Sequence, residues 1–567
     1  MRILLVYPQF PLSYWGFQHS MKLVGKAASL PPLGLLTVAA LLPARWSLRC
    51  VDLNVEPLTD QQLLWADQVF ISGMRIQAQS MHEIIARARA LGRPTVVGGP
   101  AASTAPEDYL DADLVFSGEA EGRIDALVRA MSGESVPRDR ILRPCAATAG
   151  GTSRAADRTR PALDQSPTPR FDLVDLSRYT SASVQFSRGC PFNCEFCDII
   201  EIYGRRPRVK TAAQVLAELD RLYALGFRRS VFIVDDNFIG NRAAARGLLA
   251  ALGRWQRTHG YPFELYTEAS VNLATDAQMV RDMVEAGFSA VFLGIETPDA
   301  ESLASAQKVQ NTIVDLRVAV DTLTSAGLEV MGGFIVGFDT DTAAAFDAQR
   351  EFIASVPVPL AMVGLLSALP GTQLWRRLER EGRLRHDFNG DQLERPNFEP
   401  VMDEEALLRG YAELLAEIYS PRAYYARCRA YVERAPATPG RKRTGWQHAA
   451  ALVRATLKIG LRGPARREYW RLFAYCVLHA RHAFAGAIGH AIMGEHMIRY
   501  TREEVLPRIE RALRELRAER QRAAAAVAAT AERETRASAG DARQLTPPAS
   551  RAPNADFERV ANATWSS

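Results

Sequence analysis

Short apolar runs alternate with stretches in which apolar residues recur every three to four positions over the first 131 residues. The runs at 3–7, 48–53, 69–72, 95–97 and 114–117 read as strands, and the patterns starting near Pro32 and covering 80–91 read as amphipathic helices. Strands without polar alternation are buried on both faces, so this βαβ rhythm predicts a parallel sheet covered by helices on each side. Residues 132–170 are rich in Ala, Thr, Ser, Pro and Arg without periodicity and read as a linker. The βα rhythm resumes over 171–397, with strands expected at 183–187, 230–235, 263–268, 290–296, 329–336 and 362–366. Residues 398–520 switch to helical periodicity, at 404–419, 446–461 and 468–496. The Ala-, Arg-, Thr- and Pro-rich segment 521–567 reads as disordered.

The chain of 567 residues, 47% of them hydrophobic, has material for three packed domains. Its charge is unevenly placed: residues 421–520 hold 21 Lys and Arg against 8 Glu and no Asp, so a net charge of +5 hides an acidic remainder. Seven cysteines are an odd number, and Cys50, Cys145, Cys428 and Cys476 lie far apart, which speaks against a disulfide framework and for a reducing compartment. The first residues read as a strand rather than a secretion signal, and no apolar stretch is long enough to span a bilayer. A cytoplasmic protein is expected.

The other three cysteines fall within eight residues, Cys190, Cys194 and Cys197 in Arg-Gly-Cys-Pro-Phe-Asn-Cys-Glu-Phe-Cys-Asp. Thiolates hold iron–sulfur clusters, and three of them on a 4Fe-4S cubane leave one iron open to a ligand. A structural zinc site needs a fourth Cys or His at short range, and the nearest downstream histidine is His259.

This Cys-x3-Cys-x2-Cys loop, following a strand-like segment and with Phe196 before its last cysteine, resembles that of the radical S-adenosylmethionine (SAM) enzymes. The resemblance implies a partial (β/α)6 barrel and SAM chelated at the open iron. Reductive cleavage would then give a 5′-deoxyadenosyl radical that removes hydrogen from an unactivated carbon. Barrel chemistry sits at the carboxyl ends of strands, and those ends are polar or Gly-rich here. The resemblance assigns Asp235, Asp236, Asn237, Glu268, Ser270 and Glu296 to SAM, with Gly333 letting its strand pass close to the adenine. Arg205-Arg206-Pro207-Arg208 reads either as a loop for an anionic group or as a solvated one.

The first domain resembles the cobalamin-binding domain, a Rossmann-like α/β fold, in Ser72-Gly73-Met74 followed after 23 residues by Gly98-Gly99. The family's Asp-x-His-x-x-Gly is replaced after the first strand by Pro8-Gln9-Phe10-Pro11-Leu12, so no histidine ligand to cobalt is expected. His19, nearby, reads as a core or surface residue. The resemblance assigns Pro8, Gln9, Ser72, Gly73, Met74, Gly98, Gly99, Gly118 and Glu119 to cobalamin; a doubly wound domain with another ligand is the alternative.

A cobalamin domain, a radical SAM barrel and an α-helical C-terminal extension together resemble the class B radical SAM methyltransferases. They imply methylation of an unactivated carbon of a small-molecule or lipid substrate: one SAM makes the radical, methylcobalamin delivers the methyl group and a second SAM remethylates cob(I)alamin. An external donor such as flavodoxin or ferredoxin would supply the electron. Homolytic abstraction requires no proton-transfer residue, and none is assigned as catalytic. Radical cyclisation, oxidation or rearrangement with the same cofactors stays open at this point, as does a non-catalytic cobalamin sensor. The basic helical region adds an expectation of peripheral contact with a membrane surface, and no nucleic-acid recognition module is visible.

Overall fold

The computed structural model describes residues 1–144, 160–385, 393, 395–437 and 446–544. The first sheet contains β1 (Arg2–Tyr7), β2 (Ser47–Asp52), β3 (Gln68–Ser72), β4 (Thr95–Gly98), β5 (Leu114–Phe116) and β6 (Ile141–Leu142), all parallel in the order β2-β1-β3-β4-β5-β6. Alternate residues of β1 enter two separate cores. Leu4 and Val6 meet Met81, Ile84 and Ile85 of the helix Ala78–Ala90, whereas Ile3 and Leu5 meet Leu35 and Ala39 of the helix Leu33–Leu41 and Leu127 of the helix Ile124–Met131. Burial on both faces is why these strands show apolar runs rather than alternation. β6 arises within the stretch expected to be a linker, paired with β5 through Val115 and Phe116; residues 145–159, Cys145 among them, lie outside the described residues.

A second parallel sheet has the order β14-β13-β12-β11-β10-β7, from β7 (Ser181–Val184), β10 (Ser230–Ile233), β11 (Glu264–Ala269), β12 (Phe288–Glu296), β13 (Glu329–Val336) and β14 (Ala361–Leu365). Sequential neighbours with a helix between each pair make an open βα barrel. The strand expected over 183–187 is two elements, because the amides of Phe186 and Ser187 donate to the Asp235 carboxylate, at 2.8 and 2.9 Å, instead of continuing the ladder. β8 (Ser187–Arg188) then pairs antiparallel with β9 (Arg208–Val209), closing a hairpin around the three cysteines. Leu265, Val291, Leu293, Val330 and Phe334 are buried, whereas Phe232, Tyr266, Glu268, Phe292, Met331 and Ile335, at the alternating positions, are only half-buried. The second set faces the concave side of the barrel.

Helices Glu404–Ile418 and Pro421–Arg434 cover the barrel's last strand. The hydroxyl of Tyr411 donates to the Val363 carbonyl at 2.9 Å and that of Tyr419 to the Ala361 carbonyl, satisfying acceptors that an edge strand would otherwise leave open. The expected helix 468–496 is two, Arg466–His479 and Phe484–Tyr500, broken at Ala480 (φ −141°, ψ 52°) without a Gly or Pro to announce it. The helix Leu506–Gln544 extends through the first part of the segment expected to be disordered, because its Ala, Arg and Glu are strong helix formers and the next proline is Pro547. Residues 545–567 lie outside the described residues.

Candidate active site

The cysteine loop is shaped by backbone it could not share with a larger residue than glycine at its root. Gly189 has φ +95°, and a Cβ there would lie 2.8 Å from the Gly204 carbonyl, which also accepts from the Cys190 amide at 3.2 Å. Amides point at two of the sulfurs: Asn237 Nδ2 lies 3.8 Å from Cys190 Sγ, and Gln310 Nε2 lies 3.4 Å from Cys194 Sγ. Burial pushes the Cys190 and Cys197 thiols upward. This favours the thiol form of Cys190 and Cys197 in the absence of metal, so that cluster binding at these two residues is linked to proton release. Among the described residues no three His, Cys, Asp or Glu side chains gather about a single point as ligands of one ion would. Thiolates that each hold a different iron have no need to. Three thiols, two of them with an amide donor aimed at the sulfur, suit a 4Fe-4S cluster.

Lys308, which the sequence reading did not single out, is the cation of this region. It pairs with Glu296, and its Nζ lies 5.7 Å from the centre of the Phe196 ring, within the cysteine loop. Burial alone would lower its pKa, but Glu296, Cys194 and Cys197 hold it above the ordinary lysine value. Glu296 itself sits in the left-handed region at φ +64°, a strained position for a non-glycine residue at the end of β12. A Cβ on Gly294 would fall 2.3 Å from the Glu296 carboxylate and 2.7 Å from Lys308 Nζ, so that glycine makes room for the pair. Its neighbour in the next strand has another role than expected. A Cβ on Gly333 would lie 2.7 Å from Phe292 Cζ, so the absence of a side chain at Gly333 makes room for the ring of Phe292.

Three carboxyl groups gather at the ends of β10 and β11. Burial, with the neighbouring acids adding to it, raises Glu268 to about 8; burial raises Asp236 to about 7, against a hydrogen bond from the Gly189 amide at 2.8 Å, and Asp235 to about 6. Such a group favours a cationic ligand, and SAM carries both a sulfonium and an ammonium. Asp236 and Glu268, half-buried on the concave side, fit that ligand. Asp235 does not face it: buried, it accepts from two amides of the chain after β7 and from Ser187 Oγ at 2.7 Å, and so fixes the start of the cysteine hairpin. Asn237 and Ser270 bind each other at 3.2 Å, and Ser270 Oγ also meets Asn272 Oδ1 at 2.6 Å, linking the ends of β10 and β11 to Cys190.

The residues assigned to cobalamin line the carboxyl edge of the first sheet, where open α/β sheets bind ligands. Gly99 (φ +88°) starts the helix after β4, and a Cβ on it would be 2.3 Å from Ser72 Oγ. The half-buried backbone of Gly98 and Gly99 and the exposed side chain of Met74 leave this edge accessible, and a flat ring could approach it closely. Gly118, at φ +90°, turns the chain after β5. Pro8 and Gln9 are tied down within the domain: the Pro8 carbonyl accepts from Gln77 Nε2 at 2.6 Å and Asn54 Nδ2 at 3.2 Å, and the Gln9 amide donates to Ser80 Oγ at 3.0 Å. The chain then turns away. Trp15 packs edge-on against Phe292 with ring centres 4.9 Å apart, and His19 stands 5.3 Å from the ring of His496, whose Nε2 bonds the Ser13 carbonyl at 2.9 Å.

Glu119 belongs elsewhere than expected. It and Glu121 form a buried ion cluster with the barrel: Arg188 lies 2.7 Å from Glu119 and 2.8 Å from Glu121, and Arg208 lies 2.8 Å from Glu119. Burial would raise the Glu121 pKa, but Arg188 prevails and holds it below the usual range. Arg188 is two residues from Cys190, so the cluster joins the ligand edge of the first sheet to the cysteine loop. It also gives Arg208 a structural partner, while Arg205 reaches the Pro191 carbonyl at 3.3 Å.

Models of three families match successive parts of the chain: the B12 binding domain over residues 26–128, the Radical SAM superfamily over 184–353, and a domain of unknown function, DUF4070, over 372–525. An uncharacterized methyltransferase of Synechocystis sp. is 41% identical over 523 residues, covering 91% of this chain and 94% of its own. The hopanoid C-2 methylase of Rhodopseudomonas palustris is 38% identical over 515 residues, covering 88% of this chain and 94% of its own. The fold also matches the solved structure of the radical SAM methyltransferase TsrM from Kitasatospora setae with cobalamin and a 4Fe-4S cluster bound, at a TM-score of 0.57 and 16% identity over 88% of this chain and 99% of that one.

Proposed function

The chain belongs to the cobalamin-dependent radical SAM methyltransferases, and we propose that its substrate is a polycyclic apolar lipid of the hopanoid type, methylated at an unactivated ring carbon. Its cofactors are a 4Fe-4S cluster, SAM and cobalamin, which together supply a carbon-centred radical on the substrate and the methyl group that quenches it. The observation that carries the substrate reading is the concave face of the barrel. Phe232 and Tyr266 stack with ring centres 4.7 Å apart, Phe292 carries Trp15 on its edge, and Met331 and Ile335 continue the surface on β13. A surface of rings and thioether next to the acids at the strand ends suits a hydrocarbon skeleton without polar handles.

In this reading Cys190, Cys194 and Cys197 hold the cluster, Asp236 and Glu268 meet the positive charges of SAM, and Lys308 offsets the negative charge of the thiolates. The edge formed by Ser72–Met74, Gly98, Gly99 and Gly118 receives cobalamin. Phe292, Tyr266 and Trp15 orient the substrate and keep water from the radical. Flavodoxin or ferredoxin supplies the electron. No helix of the described residues is long and apolar enough to cross a membrane. Expression in a hopanoid-producing strain that lacks its own methylase tests this reading: extracts should gain hopanoids heavier by one CH₂ unit, absent when Cys197→Ala is expressed. New methylated products of polar metabolites with unchanged hopanoids would refute the substrate.

A further inference from the structure

Helix Trp446–Ala455, continued by the π-helical segment Thr456–Leu461, and helix Arg466–His479 form a hairpin with an apolar side that is exposed among the described residues. Inward, Ala455, Ile459, Tyr469, Leu472 and Cys476 are buried. Outward, Val453, Leu457 and Leu461 follow one another at four-residue intervals, with Leu461 56% exposed, and on the second helix Trp470 and, two turns on, Val477 and Leu478 are exposed, with Leu478 71% exposed. The two stripes are joined. Trp470 Nε1 donates to the Gly460 carbonyl at 2.9 Å, which places the indole across the face that holds Leu457 and Leu461. Phe473 then links Trp470 to Phe484, with ring centres 5.2 and 5.1 Å apart. Scattered exposed leucines need no explanation, but two aligned stripes closed by an aromatic row do.

Charge decides what covers this side. Arg462, Arg466 and Arg467 are exposed at the tip of the hairpin and have no carboxylate partner among the described residues, whereas Arg471 is paired with Glu468 at 2.6 Å. Free guanidinium groups beside exposed leucines, with a tryptophan between them, match an anionic headgroup layer over acyl chains. The hairpin is also tied to the segment that ends on the concave face, because Arg454 Nη1 donates to the Leu23 carbonyl at 3.2 Å in the helix Gln18–Val24, which follows Trp15.

We propose that this hairpin docks on an anionic bilayer, with Leu457, Leu461, Trp470 and Leu478 entering the interface and Arg462, Arg466 and Arg467 meeting lipid phosphates. The inference rests on the reading of the substrate as a membrane lipid and gives that lipid a short route to the barrel.

Flotation of the cluster-loaded full chain with vesicles tests it. Binding to vesicles containing phosphatidylglycerol should exceed binding to pure phosphatidylcholine roughly a hundredfold, at about a fivefold gain for each of the three arginines. Leu457→Asp/Leu461→Asp and, separately, Arg462→Gln/Arg466→Gln/Arg467→Gln should each lose most of that binding, while turnover of detergent-dispersed hopanoid stays at the wild-type level. Equal binding to both vesicle types overturns the proposal, as does retention of binding by both variants. A wild-type dimer that becomes monomeric in the leucine variant with vesicle binding unchanged also overturns it, since a second copy would then cover the stripes. Loss of vesicle binding in the variants together with no hopanoid turnover by any form upholds the docking surface and refutes the substrate instead.

Discussion

Replacing Arg188 with alanine measures how firmly the cobalamin domain is held to the cysteine loop. One guanidinium answers two carboxylates, at 2.7 Å to Glu119 and 2.8 Å to Glu121, and the three side chains are only 12%, 7% and 3% exposed. After the change Glu119 keeps Arg208 at 2.8 Å, but Glu121 has no second cation among the described residues. A buried carboxylate left alone costs about 3–5 kcal/mol. At about 1.4 kcal/mol per tenfold, amides that exchange through opening of this edge should speed up by roughly 10² to several 10³-fold. Hydrogen exchange with mass spectrometry on the cluster-loaded enzyme, read over residues 117–123, gives the number. Arg208→Ala should change these amides less than about tenfold, because Arg188 still faces both acids. The double variant Arg188→Met/Glu121→Leu removes both charges of the bidentate pair and should recover most of the protection. In turnover, Arg188→Ala should form 5′-deoxyadenosine in excess over methylated product, because the clamp sets the cobalamin edge against the cysteine loop. Equal effects of Arg188→Ala and Arg208→Ala, or exchange over 117–123 within threefold of wild type, would show that Arg188 does not clamp this edge.

Lys308→Met removes the cation beside Cys194 and Cys197 and should lower the cluster's midpoint potential in an EPR-monitored titration; an unchanged potential sinks the electrostatic role. Asp236 and Glu268, raised to about 7 and 8 chiefly by burial, are largely protonated at pH 6. A cationic ligand favours their ionised forms, so SAM binding should release protons and its affinity should rise from pH 6 to pH 8; calorimetry in two buffers of different ionisation enthalpy measures the release, and a Kd flat across that range contradicts the assignment. Gly99→Ala forces a left-handed position and sets a Cβ 2.3 Å from Ser72 Oγ, so the variant should purify with much less cobalamin and an undiminished cluster; full cobalamin content would remove Gly99 from the binding edge.

What could be read from the chain alone was local in origin. Apolar runs without alternation fix strands buried on both faces, and each expected strand of the first sheet matches an observed one to within about two residues. The cysteine spacing specifies a three-thiolate loop, because ligand geometry is a property of a few adjacent residues. Even some departures had local reasons, as where Ala, Arg and Glu after residue 520 sustain a helix that composition alone read as disorder.

The partners of charged side chains were settled only by folding. Glu119 lies in a Gly-rich turn that reads as a ligand loop, yet two arginines, 69 and 89 residues further along, take it up. Gly333 reads as an opening for a ligand, and only the pairing of its strand with β12 shows that Phe292 lies against it. Lys308 carries no sequence signal at all, since its meaning comes from Glu296, twelve residues earlier, and from a cysteine loop more than a hundred residues away. Hydrophobic period and ligand spacing act over a few residues and are written in order along the chain; ion pairs, ring contacts and exposed stripes depend on which surfaces the strand order brings together, and the tertiary structure alone decides that.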